Sequence, residues 1–147
     1  MEALQFPTYA KWEWFLAGTR FGADYKAKKS IQTILNERND RDVAQEWAKL
    51  PEPEQTIGRV LNRLVSDRLQ WTPPHRFIPA DALAVVLWDT YDGFNFVELL
   101  TELDERYHVD TMTFLERVYP NEQIHSDVTF REFIKFLVDE GRPVRES

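Results

Sequence analysis

Apolar residues recur three or four apart along most of the chain. Between Glu54 and Leu69, the positions Ile57, Val60, Leu61, Leu64, Val65 and Leu69 form one stripe, opposite Arg59, Asn62, Arg63, Asp67 and Arg68. That period predicts an amphipathic helix of about four turns. Pro53 suits its first turn, where a missing amide costs little. A second stripe runs through Phe96, Leu99, Leu100, Leu103 and Tyr107 and predicts a helix over about Phe94 to Tyr107. A third, through Phe130, Phe133, Ile134 and Leu137, predicts a helix from about Thr129 to Asp139 that stops at Gly141. Thr129 with Glu132 three residues later matches a capping box. Shorter helices are expected after Asp81, read as an N-cap for Leu83, Val86 and Leu87, and over Thr113 to Tyr119 before Pro120. No segment alternates at period two, so the fold class expected is all-α.

The first fifty residues read differently. Phe6, Tyr9, Trp12, Trp14, Phe15, Phe21 and Tyr25 form an aromatic cluster interrupted by Gly18 and Gly22. Ile31, Ile34 and Leu35, and then Val43 and Trp47, have helical spacing. The segment therefore reads as two or three short helices with aromatic surface to bury. Packing against the following domain is favoured over a partner surface, because clustered large aromatics are usually core material. Pro51 and Pro53 mark the break, giving a helical N-terminal extension at 1–52 and a helical bundle at 53–142.

Charge adds an asymmetry. The net charge is −7; residues 1–50 balance at +1 and residues 51–147 at −8. Such a surface disfavours nucleic acid and anionic lipid and favours basic partner proteins, although acidity also serves plain solubility. The absence of cysteine excludes disulfides, thiolate metal sites and cysteine nucleophiles. His75, His108 and His125 fall in separate loops or helix ends, without metal-ligand spacing. No nucleophile elbow or glycine-rich phosphate loop occurs. Neither catalysis, a metal nor a cofactor is expected. With no membrane-length apolar run and no basic leader, a cytoplasmic location is expected. Oligomeric state is left open.

The run Asp92-Gly93-Phe94-Asn95-Phe96-Val97-Glu98-Leu99-Leu100-Thr101-Glu102-Leu103-Asp104-Glu105-Arg106-Tyr107 carries more information. It resembles the acyl carrier protein family, whose modification site reads D-S-L, continues V-E-L four residues beyond the serine and closes its helix with acids and an aromatic. Val128-Thr129-Phe130 is similar to the family's start of its final helix. The resemblance covers about ninety residues, most closely over about thirty. It implies an acyl carrier protein-like four-helix bundle preceded by the aromatic-rich extension.

One departure limits the functional content of the resemblance. Gly93 stands where the family carries the serine that takes phosphopantetheine, and glycine has no oxygen to esterify. Thr90 is out of register by three, and Ser30, Ser66, Ser126 and Ser147 lie elsewhere. A glycine after Thr90-Tyr91-Asp92 also suits an ordinary turn. The resemblance then implies a non-catalytic interaction protein without the prosthetic arm, docking a basic partner through Glu98, Glu102, Asp104 and Glu105. The alternative is an apolar-ligand or acyl-chain binding bundle, with Trp88, Tyr91, Phe94 and Phe96 lining the pocket.

Overall fold

The computed structural model describes residues 1–5, 23–69, 71, 76–88, 94–120 and 127–141. Among these residues the chain is all-α, with seven helices and no strand. The helices are α1 (Ala23–Glu37), α2 (Asp40–Ala48), α3 (Glu52–Arg68), α4 (Leu83–Val86), α5 (Phe94–Tyr107), α6 (Thr111–Val118) and α7 (Phe130–Glu140). The aromatics at Phe6, Tyr9, Trp12, Trp14, Phe15 and Phe21, and the Tyr25 side chain, lie outside the described residues.

Three helix starts reflect local capping chemistry. Pro51 precedes α3 in an extended conformation, and Pro53 sits in the first turn, where no intrahelical acceptor is waiting for its amide. Thr129 Oγ1 accepts from the Glu132 amide at 3.3 Å and opens α7. Asp110 does the same for α6 by accepting from Thr113. Hydrogen bonds from the Thr113 hydroxyl and then its amide hold the Asp110 carboxyl below the usual carboxylate range. The cap itself starts α6 two residues earlier than the apolar pattern suggests. The end of α5 needs a left-handed residue, supplied by His108 at φ 53°. The Val109 amide then reaches back to the Asp104 carbonyl at 3.3 Å, a Schellman-type closure. Gly141 ends α7 as expected, but with an extended rather than left-handed backbone.

Helix α3 is the central element. It packs on α7, α5 and α2; α5 also packs on α6, and α4 on α7. Leu61 and Val65 of α3, Leu99 and Leu103 of α5, and Phe133, Ile134 and Leu137 of α7 are buried in one continuous core. Phe114 of α6 stacks on Phe136 of α7 with ring centroids 4.7 Å apart. At the other end of the α3–α7 pair, the Arg131 guanidinium meets the buried carboxylate of Glu54 at 3.1 Å.

The first helices share this core. Ile31 and Leu35 of α1 and Leu4 before it belong to the same cluster. The inward stripe of α1 is Lys28, Ile31, Leu35 and, just beyond the helix, Arg38. Ile34 was expected on that face; it is instead 46% exposed, because the seven-residue repeat from Lys28 to Leu35 fixes the helix rotation. Lys28 is buried yet well solvated by protein. Its ammonium donates to the Leu69 carbonyl at 2.6 Å and the Trp88 carbonyl at 3.0 Å, and lies 4.5 Å from the Trp71 ring centroid. Leu69 is the C-cap of α3, so the cation also meets the negative end of that helix.

Asp81 departs from its expected role. Ala82 is the N-cap of α4, without a side-chain hydrogen bond. The Asp81 carboxylate points inward and is fully buried. Its Oδ1 accepts from the Leu4 amide and an Arg38 amine, each at 2.8 Å. Its Oδ2 accepts from the Ile78 amide at 2.8 Å and the other Arg38 amine at 2.7 Å. Arg38 in turn donates to the Arg76 and Glu2 carbonyls at 3.0 and 2.9 Å. A buried ion pair is tolerable when geometry and hydrogen bonding are this complete, whereas removing one partner strands a charge.

Asn62 was expected on the outer face of α3 and is instead buried. Its amide group bonds both backbone polar groups of Phe77, accepting from N–H at 3.1 Å and donating to C=O at 3.4 Å. Trp47 of α2 donates its indole N–H to that same carbonyl at 2.8 Å and meets the Phe130 ring edge-on. Its six-membered ring lies over Gly58 of α3. A Cβ there would come within 2.7 Å of Cη2 and 2.8 Å of Cε3, and closer still to Cζ3. The glycine is the condition for α2 to seat on α3.

Two substitutions test these contacts. Gly58→Ala removes a helix-interior glycine, a gain of about 1 kcal/mol on propensity alone. Here the tethered indole blocks the methyl, so a net loss of about 1–3 kcal/mol is expected in urea unfolding. Asp81→Asn keeps the shape but leaves Arg38 as an uncompensated buried charge, and should cost about 3–5 kcal/mol by the same measurement.

Candidate functional site

Helix α5 carries most of the residues singled out from sequence. Its inner face, Phe96, Leu99, Leu100, Leu103 and Tyr107, is buried as the period requires. Burial also raises the Tyr107 phenol above its ordinary pKa, with Arg106 pulling the other way. The outer face is built from Val97, Glu98, Thr101 and Glu105, all exposed. Val97 is 50% exposed, one of three large apolar side chains left in solvent among the described residues.

The four carboxylates proposed for docking separate into two kinds. Asp104 Oδ1 accepts from both the amide and the hydroxyl of Thr111, at 2.8 and 2.7 Å. Thr111 is fully buried, so Asp104 fastens the start of α6 to the end of α5. Glu102 is only partly exposed and lies between two guanidinium groups, Arg68 of α3 at 2.5 Å and Arg106 one turn on at 3.6 Å. Two of the late acids of α5, Glu102 and Asp104, thus have internal partners that offset the cost of opposing the helix dipole. Glu98 keeps a looser contact with Arg68 at 3.6 Å and remains 63% exposed. Glu105 is exposed and has no ion pair among the described residues. Of the four, the acids that face outward are therefore Glu98 and Glu105; the exposed Val97 precedes Glu98. Sequence spacing alone could not separate these from Asp104, whose partner lies across a turn.

The apolar set resolves in part. Trp88 and Phe96 are 1% and 2% exposed within the main core. Both are packed within the core cluster. Tyr91, Asp92 and Gly93 lie outside the described residues, as does the side chain of Phe94. Among the described residues, no group of three or more His, Cys, Asp or Glu is placed to hold a metal ion, and no helix is long and apolar enough to cross a membrane.

A feature that sequence patterning does not reveal lies at the other end of the chain. A surface cleft of about 410 Å3 opens between the N-terminal segment, the end of α1 and the start of α2. Met1, Glu2, Ile34, Glu37, Asp42 and Glu46 are among its walls. The available signal was Ile34, one apolar residue too many for the inward stripe of α1.

No family model matches the chain, and no curated protein or solved structure matches it either.

The partition of carboxylates on α5 is testable by stability alone. Asp104→Ala should destabilise by about 1–3 kcal/mol, because it strands the buried Thr111 donors. Glu105→Lys should stay within about 0.5 kcal/mol of the parent, as expected for a solvated surface site. Thermal unfolding of the two variants side by side reads both.

Proposed function

We propose that this protein is a non-catalytic, acyl carrier protein-like interaction protein that carries no phosphopantetheine and docks a basic partner through the outer face of α5. In this reading α3, α5, α6 and α7 are the four carrier helices, and α4 lies within the long connection after the first. The observation that carries it is the outer face of α5. A half-exposed valine stands next to Glu98, with Glu105 two turns on along the same exposed side of a helix whose other two late acids are committed internally. An exposed apolar group next to acidic ones suits a partner of opposite charge, because complementary fields set both encounter rate and register. Helix order and the packing of α3 on α5 and α7 agree with the resemblance read from the sequence. The glycine at position 93 removes the only oxygen in register for a phosphodiester.

The acyl-binding alternative is less favoured, since Trp88 and Phe96 are packed within the core. The reading is tested with a broad-specificity phosphopantetheinyl transferase and coenzyme A, because such a transferase is itself a carrier-docking protein. Intact mass should be unchanged after incubation, while titration of the labelled protein shows saturable binding. Glu98→Lys combined with Glu105→Lys should abolish that binding. A mass gain of one phosphopantetheine unit, or binding indifferent to the double reversal, would overturn the proposal.

A further inference from the structure

The cleft beside α1 and α2 combines three properties seldom found together by accident. It holds two of the three large apolar side chains exposed among the described residues, Met1 at 47% and Ile34 at 46%. Four acidic residues, Glu2, Glu37, Asp42 and Glu46, line it. Its one buried cation, Arg38, has its charge cancelled by Asp81 and its terminal amines turned to Asp81 and the carbonyls of Glu2 and Arg76. Glu46 is engaged by Lys49 at 3.1 Å, and Asp42 accepts a hydrogen bond from the Asn39 side chain at 2.8 Å. Glu2 and Glu37 carry no ion pair among the described residues. Even with the Met1 amino group counted as positive, the cleft is negative.

We infer that this cleft is a second docking site, taking a segment of a partner protein in which an aliphatic side chain lies next to lysine or arginine. The aliphatic group seats between Met1 and Ile34, and the basic groups meet Glu37, Glu2 and Asp42. A protein segment fits better than a small polycation for a geometric reason. Small-ligand pockets enclose most of their ligand, whereas Met1, Glu2, Ile34, Glu37, Asn39, Asp42 and Gln45 are all exposed. An open, mixed apolar and acidic trough covers one face of a chain. The inference rests on the interaction role proposed above but not on α5.

The floor of the cleft is tied together by hydrogen bonds. Arg38 and Glu2 are joined through the hydrogen bond to the Glu2 carbonyl, and Arg38 is fixed by Asp81. Binding there need not order the floor, which lowers its entropic cost.

The test uses the full chain, labelled with 15N, and a synthetic peptide of about ten residues bearing two lysines, one arginine and two leucines among serines, a span sufficient to cover such a trough. Amide shifts should change at Glu2, Ile34, Glu37 and Asp42. Glu37→Lys places a cation at the C-terminal end of α1, where the dipole favours it, so the variant remains folded. It should weaken the peptide about tenfold, and Ile34→Ser by a similar factor. Glu98→Lys with Glu105→Lys should leave affinity within about twofold. Full affinity in the Glu37 or Ile34 variants overturns the inference. So does equal binding of a peptide with both leucines replaced by serine, or displacement by spermine at equal charge. Peptide loss only in the α5 variant removes the cleft site and leaves the α5 reading standing; transferase binding that ignores the α5 variant, with the cleft response intact, removes the α5 reading and keeps the cleft.

Discussion

A carboxylate buried beyond the reach of water must have every lone pair answered, and Asp81 is held to that condition. Its four hydrogen bonds come from three separate stretches of chain: Leu4, Arg38 and Ile78. Its own carbonyl accepts from the Phe130 amide at 2.8 Å, which brings in a fourth, the start of α7. The neighbouring Ala82 amide donates to the Leu4 carbonyl at 2.9 Å, and Leu83 to Val128. These contacts fix relative register more sharply than apolar packing does, since a misplaced apolar group loses a fraction of its contacts and a misplaced ion loses its solvation. The end of α1, the loop before α4 and the beginning of α7 are therefore positioned together or not at all.

The same loop is gripped from its other side. Phe77, four residues before Asp81, has its backbone held by Asn62 of α3 and the Trp47 indole of α2. Its ring lies edge-on to Trp71 and Phe130. Arg76 closes the end of α1, donating to the carbonyls of Asn36 and Arg38 at 3.1 and 2.7 Å, and meets Asp40 at 3.4 Å. Residues 76–81 contain almost no regular structure, yet Phe77, Ile78, Pro79 and Asp81 are buried. Their backbone groups find partners in side chains from α2 and α3 and in Arg38, which is how an irregular segment can lie inside a helical core.

The range of each interaction decides whether sequence can convey it. The stripes of α3, α5 and α7, the Thr129 cap and the break at Pro51 were legible, because each depends on residues a turn or less apart. Asp81 was not. Followed by Ala, Leu, Ala and Val, it has the local signature of an N-cap, and its true partner Arg38 lies 43 residues away. Asn62 was misplaced for the same reason, its partner being fifteen residues distant. Ile34 was assigned inward because three apolar residues within five positions look like one face; the buried Lys28 and Arg38, which set the rotation, look like surface residues in a sequence. Of the candidate site, the helix and its acidic character were legible. Which acids face outward was not, since that depends on Arg68 and Thr111 from neighbouring elements.

Net charge therefore says less about recognition than the division of carboxylates between internal and external partners. Asp81, Asp104 and Glu54 are spent on the fold, and Glu102 is shared between two arginines. Among the described residues, each of the three exposed large apolar side chains has an acid near it: Glu98, which also contacts Arg68, follows Val97 on α5, and Glu2 and Glu37 share the cleft with Met1 and Ile34. A surface that attracts a basic chain and then holds it by apolar contact needs both kinds of group close together. Exposed apolar area supplies the attachment, and surrounding charge sets orientation and excludes acidic competitors.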